Sequence, residues 1–389
     1  MPGPEAPVDQ IHLQHEYELL KAFIGTSIPT AHAYETYPGG CALILESMDG
    51  LPFSEYMITE KMDLPIFINT AILIAGAIGD LHQHHIIHKN IQPENIFINK
   101  NSHQIWLIDF RFATVLPKEK PHILNPDTIE GELAYMSPER TGRMERAIDY
   151  RTDFYSLGVL FYQMLTGHLP FESSDPLELV HSHLAKQPVL PSEANPEIPS
   201  AVSDIIMKLL SKNAEARYQS SHGLIEDFKK CRRQLEKSNT IEKFIVGEKD
   251  FPEQFQISQK IYGREDETQM LLDMFERASL GSMEMAVISG NPGVGKTSLV
   301  QEIQIPIASK KGFFIKGKFD PFYRNVPHSA LVYAFQQLIR QLLSQSEKEL
   351  NAWKEKLMAV LGQYGRIVTD LIPEVGVVSP NRRNLSNRS

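Results

Sequence analysis

The segment Gly290-Asn291-Pro292-Gly293-Val294-Gly295-Lys296-Thr297 matches the pattern G-x-x-x-x-G-K-[ST] in full. Glycines at these places let backbone N–H groups converge on phosphate oxygens without a Cβ in the way. Lys296 supplies a point charge to the terminal phosphates, and the Thr297 hydroxyl is a ligand for Mg²⁺. The chemistry implied is binding of a nucleoside triphosphate, ATP with Mg²⁺. An apolar run, AVIS, leads into the loop and predicts a strand. A helix is predicted to leave it, with its N-terminus toward the phosphates. Hydrolysis needs more, namely an acidic residue at a strand end for the metal and the attacking water. Downstream, RIVTD ends in Asp370 but is short and runs into LIPE. The missing acidic strand is therefore expected beyond Ser389, which would leave this α/β P-loop domain incomplete at its C-terminus.

A second constellation starts at His88. HKNIQPEN, His88 to Asn95, has the frame of a protein-kinase catalytic loop, H-R-D-x-x-x-x-N. Further pieces follow in the kinase order. Asp109-Phe110-Arg111 stands where D-F-G is expected, and GELAYMSPE (Gly131 to Glu139) resembles the end of an activation segment. The resemblance to protein kinases implies roles for particular residues. Asn95 and Asp109 would hold Mg²⁺, Asp153 would brace the catalytic loop, and Arg217 would pair with Glu139. His88 would be structural, and Glu16 is the candidate αC glutamate. The departures bear on activity. Asn90 occupies the place of the catalytic aspartate, and an amide does not accept a proton at neutral pH. Loss of a general base costs roughly 10²–10⁴ in rate. Gln92 stands where the catalytic-loop lysine of Ser/Thr kinases would be. Arg111 replaces a glycine and its torsional freedom. Only Met1 to Leu13 precede the αC pattern, and they contain neither G-x-G-x-x-G nor V-A-I-K. The front of the N-lobe is thus expected to be missing, with apolar surface exposed in consequence.

The two regions together, with Tyr262-Gly263-Arg264-Glu265 and GKFDPFYRNVPHSALVYAFQQLIRQLL around the loop, resemble a family of large bacterial, mainly cyanobacterial, signalling proteins. Those proteins join a Ser/Thr protein kinase domain to an AAA/STAND-type ATPase, followed by GAF sensor and histidine-kinase modules. The resemblance covers Gln10 to about Val378 and implies ATP-dependent signalling through protein substrates or partners, with the later modules expected in the parent protein.

The elements that must position these residues are legible in outline. HLQHEYELLKAFI (His12 to Ile24) has helical spacing, and CALILES (Cys41 to Ser47) reads as a strand. NIFINK and QIWLIDF are β-rich runs around the turn formers Asn101 and Ser102. DFYSLGVLFYQMLTG predicts an apolar helix stopped by Gly167. VSDIIMKLLSK and GLIEDFKKCRRQLEK predict amphipathic helices. The organisation expected is an α+β protein-kinase-like domain over 10–237, a charged linker over 238–258, the α/β P-loop domain over 259–378, and a disordered polar tail over 379–389. No internal repeat is present.

Composition sets the outer bounds. The chain has 389 residues, is 42% hydrophobic and 22% charged, and carries a net charge of -9. That balance argues against a dedicated nucleic-acid binder. Cys41 and Cys231 are too few for a disulfide framework, which points to a reducing compartment. The N-terminus lacks the features of a signal peptide. The apolar run Ile66 to Leu81 falls short of the ~20 residues of a bilayer span and reads as a core helix. A cytoplasmic location is expected. His84 and His88 lie four apart, yet no Cys or acidic ligand accompanies them, so a solvated or structural role outweighs a metal site. The basic run Lys229 to Lys237 reads as a solvated helix face. Three functional readings stand: an active kinase fused to an ATPase, a pseudokinase scaffold with a nucleotide switch, or a piece of a larger signalling kinase.

Overall fold

The computed structural model describes residues 7–23, 25, 27–38, 40–115, 133–141, 147–252, 263–291, 293–310, 312–317, 328–343, 352–353, 355–357 and 359–360. The chain forms two compact units that interleave in sequence. One comprises 1–121, 130–174 and 187–260, and the other comprises 122–129, 175–186 and 261–389. Asp370 and the tail 379–389 lie outside the described residues.

In the first unit, α1 (Pro7–Ala22) buries Leu19 and Leu20. It packs on an antiparallel hairpin of β1 (Ala31–Tyr37) and β2 (Gly40–Leu45), paired from Ala31 with Leu45 to Tyr37 with Gly40. A two-stranded ribbon covers little apolar area by itself. Accordingly Ile11, Tyr37 and Ile44 stay exposed. A second antiparallel sheet has the order β3 (Leu51–Pro52), β4 (Ile96–Ile98), β5 (Ile105–Leu107). Asn99 closes the β4–β5 turn, its Oδ1 accepting from the N–H groups of Asn101 and Ser102. This short sheet sets the spacing between the catalytic-loop residues before β4 and Asp109 after β5.

The helical part is built on α3 (Leu64–Gln83). Its start is set by Asp63, whose side chain accepts from Ile66 N at 2.9 Å. Its apolar residues bury from Phe67 to Leu81, so it is a core helix by packing, although its length and composition would also suit a membrane span. Alongside run α2 (Phe53–Thr59), α4 (Arg151–Thr166), α6 (Pro191–Ala194), α7 (Ser200–Leu209) and α8 (Ser221–Ser238). Gly167 ends α4 in the left-handed region, at φ 76°. Phe67, Phe161 and Phe228, from α3, α4 and α8, meet edge to face with centroids 5.7–5.8 Å apart.

Residues 239–252, the first part of the expected linker, do not run loose. They turn at Asn239, in the left-handed region, and return along α8 to its N-terminus.

The second unit contains α5 (Pro176–Ala185), α9 (Glu265–Ser279), α10 (Lys296–Gln301), α11 (Gln304–Ser309) and α12 (Ser329–Leu343). The strand predicted at AVIS is not formed. Residues 282–291 have no ladder partner among the described residues, and Met283, Met285 and Val287 are solvent-exposed. A strand exists only through inter-strand hydrogen bonds, so an apolar run alone does not make one.

Candidate functional site

The catalytic-loop segment is held by Asp153 in the first turn of α4. Its Oδ2 accepts from His88 N at 3.0 Å and bonds His82 Nε2 at 2.9 Å, and its Oδ1 accepts from Lys89 N at 2.8 Å. Burial alone would raise the Asp153 pKa, but His82 and the His88 N–H outweigh it and hold the carboxylate below its usual range. Lys89 sits at φ 64°, an uncommon conformation for a non-glycine residue. Asp153 on its N–H and the Arg140 guanidinium on its carbonyl hold it there.

His88 is fully buried. Its Nε2 lies 3.0 Å from Ile108 O, and its Nδ1 accepts from Asn90 N at 3.2 Å. That pair of bonds suits the neutral imidazole protonated on Nε2. Burial lowers the His88 pKa against the opposing pull of Asp153 and Asp109. His88 is therefore a structural strut between the catalytic loop and the end of β5. His84 bonds the Asp80 carbonyl, and no cluster of potential metal ligands exists among the described residues.

The phosphoryl-transfer positions converge as the sequence implies. Asn95 Nδ2 donates to Asn90 O at 2.9 Å, which fixes the Asn95 amide. Asn90 Nδ2 donates to Asp109 Oδ2 at 2.8 Å, so the residue in the place of the base faces Asp109 as a donor. Arg111 Nε donates to Asp109 Oδ1. Both carboxylate oxygens of Asp109 are thus engaged by internal donors. Each oxygen keeps a second lone pair, so a cation there would share Asp109 with the Asn90 amide and would lie close to the Arg111 guanidinium charge. The Asn95 Oδ1 and the Asp109 carboxylate are the groups that would hold a metal, with Arg111 as a competing positive charge. Gln92, half-buried in the same loop, adds no charge.

Glu16 is 4% exposed, and its Oε1 accepts from Phe110 N at 2.8 Å. Among the described residues no lysine pairs with it. Burial raises its pKa, opposed by the Phe110 N–H. At the far side of the unit, Arg217 grips Glu139 with two bonds of 2.7 Å, both side chains buried. Burial pushes Glu139 up, but the Arg217 charge and hydrogen bonds prevail and hold it below the ordinary carboxylate range.

In the second unit, Gly293 (φ 86°) and Gly295 (φ 89°) shape the phosphate-loop turn. A Cβ at either would meet nothing within 4 Å, so the glycines are required by backbone conformation rather than by crowding. Lys296 opens α10 and points its amine back across the loop, donating to Gly290 O at 2.8 Å and Asn291 O at 2.9 Å. Thr297 is exposed. Two of the three ammonium donors of Lys296 are held by carbonyls of its own loop. Gly290, Asn291 and Val294 belong to the same turn, and Pro292 lies outside the described residues.

Comparison with known proteins agrees with this geometry. The protein kinase domain family matches residues 5–228. The chain belongs to the protein kinase domain family. An AAA ATPase domain matches residues 260–386, so this protein is a kinase domain followed by an AAA-type ATPase domain. Relatives include hybrid signal transduction histidine kinase G of Dictyostelium discoideum, 38% identical over 63% of this chain and 8% of that protein. Histidine protein kinase 1 of Candida albicans is 27% identical over 85% of this chain and 15% of its own length. The serine/threonine-protein kinase PknB of Mycolicibacterium smegmatis is 33% identical over 46% of this chain and 28% of its own. The chain thus spans a small part of the relatives it matches.

Some functional contacts had no sequence signal. Arg140, which holds the Lys89 carbonyl, and the pair Asp149–Arg151 look like ordinary surface charges in sequence, yet both are buried. The loss of Gly at Arg111 was visible, but not that its guanidinium would neutralise Asp109.

Proposed function

We propose that this chain is an ATP-binding signalling protein whose working nucleotide site is the phosphate loop at Lys296, and whose kinase domain transfers phosphate weakly or not at all. The observation that carries this reading is the pairing of Asp109 with Asn90 and Arg111, in a loop that holds an amide where the base should stand. ATP with Mg²⁺ is the nucleotide, with Thr297 as metal ligand in the second domain. Domain limits of 10–237 and 259–378, joined over 238–258 and followed by a tail over 379–389, are drawn from the motifs, while the family matches run over 5–228 and 260–386.

A scaffold role for the kinase domain is the second reading. It is favoured by the completeness of the framework around the altered site, since Asp153 and the Glu139–Arg217 clamp are intact. Protein signalling partners, a cytoplasmic location and later sensor and histidine-kinase modules complete the proposal. The partners and modules are supported by relatives that are named histidine kinases, and the location by the burial of the long apolar helix.

The test is Mg²⁺-ATP binding and protein phosphorylation by the purified chain, beside Lys296→Ala and Asn90→Asp. The expected result is that Lys296→Ala loses ATP binding and that wild type transfers no phosphate. ATP affinity unchanged in Lys296→Ala, or robust phosphorylation by wild type, would overturn the proposal.

A further inference from the structure

Residues 242–251 lie on the kinase unit in an unusually tied arrangement. Asp250 is the main tie. Its carboxylate accepts from Gln219 N at 2.8 Å, from Ser220 N at 2.9 Å and from Ser220 Oγ at 3.0 Å. Ser220 is also the cap of α8, accepting from Gly223 N at 3.0 Å. Two buried or tightly placed groups hold the rest. Gly247 N donates to Asp227 Oδ2 at 2.6 Å, an oxygen that also takes the Tyr218 hydroxyl at 2.5 Å. Gly247 itself sits at φ 75°, with Lys208 against it. Along the way, Lys230 lies 4.3 Å from the Phe244 ring centroid, and Lys249 pairs with Glu226 at 3.3 Å.

The receiving segment, 217–220, faces the other way as well. Arg217 is the clamp on Glu139 at the end of the activation segment. Gln219 Oε1 accepts from Arg151 Nη1 at 2.8 Å, and Gln219 O accepts from the Tyr150 hydroxyl at 2.8 Å. Arg151 and Tyr150 adjoin Asp153, the brace of the catalytic loop.

We propose that residues 242–251 form a clasp, latched by Asp250, that docks the outgoing chain onto 217–220 and thereby couples it to the activation-segment anchor. The segment after α8 is then held back at the N-terminus of that helix and does not extend from its end at Ser238. Coupling of this kind is a matter of shared contacts with two arrangements, and it is established only by measuring both ends.

Gly223 offers a discriminating variant. A Cβ there would lie 2.6 Å from Asp250 Cα, a backbone atom that cannot swing away. Elsewhere in a helix, Gly→Ala is stabilising, so Gly223→Ala favours α8 while pushing the clasp off. The experiment is limited trypsin digestion and hydrogen exchange on the full chain, comparing wild type, Asp250→Ala and Gly223→Ala. Both variants are expected to speed cleavage at Lys243 and Lys249 by roughly tenfold or more, as loss of hydrogen bonds to a charged group implies. Both should also raise exchange at 217–221 and 138–141 while leaving α3 and α4 protected. Unchanged cleavage in Gly223→Ala would overturn the docking. Faster cleavage with unchanged exchange at 217–221 and 138–141 would overturn the coupling. If Asp250→Ala does not fold, Gly223→Ala decides alone.

Discussion

Glu16 is a buried carboxyl with no lysine beside it among the described residues. In the family it would face a lysine. Here it is buried against the Phe110 N–H, and burial raises its pKa above the ordinary 4.5. A carboxyl shifted this way contributes stability that is present below pH 4.5 and is lost as pH rises through its raised folded value. Glu16→Gln keeps an acceptor for Phe110 and carries no charge. It is expected to stabilise the kinase unit at pH 7–8 and to have no effect near pH 4. Denaturant midpoints at both pH values check this, and a destabilised variant at neutral pH would mean an undetected cation serves Glu16. The Glu139–Arg217 pair has the opposite sign. Its stabilisation holds above pH 4.5 and fades as Glu139 is protonated below it.

Among the elements, α3, α4 and α8 act as one block because their aromatic rings interlock. Phe228 is fully buried and touches Phe67 and Phe161 edge to face. Close approach of the helices is set by small residues, since a Cβ at Gly79 would lie 2.4 Å from Ser221 Oγ. Such a site relaxes little when emptied. Phe228→Ala is therefore expected to cost about 3–5 kcal/mol of unfolding free energy. Urea unfolding followed by far-UV circular dichroism measures it, and a loss below about 1 kcal/mol would show that the three helices do not share one core. The catalytic loop depends on this block through Asp153, which α4 carries.

For the whole molecule, two nucleotide-type sites sit in separate compact units, and the proposed asymmetry between them is open to a direct measurement. Saturation with Mg²⁺-ATP at 100 times Kd stabilises the binding unit by about 2.7 kcal/mol. Differential scanning calorimetry is expected to show this gain, and Lys296→Ala to abolish it. A gain that persists in Lys296→Ala would locate nucleotide at the kinase site instead, with Arg111 displaced from Asp109.

Sequence alone determined the pieces whose chemistry is local. The phosphate loop is contiguous, so its residue types define it, and the helix end at Gly167 follows from a cap within a few residues. Ordered kinase motifs placed Asn90, Asn95, Asp109, Asp153, Glu139 and Arg217 in one fold, because each motif carries its own spacing. Tertiary structure alone decided what depends on partners distant in the chain. AVIS had a strand's composition but no neighbouring strand to bond among the described residues, and 239–252 had a linker's composition but met acceptors and donors on α8. Arg111 read as a lost glycine, and only the fold showed its charge resting on Asp109. Pairing and burial are properties of two segments at once, and no single stretch of residues contains them.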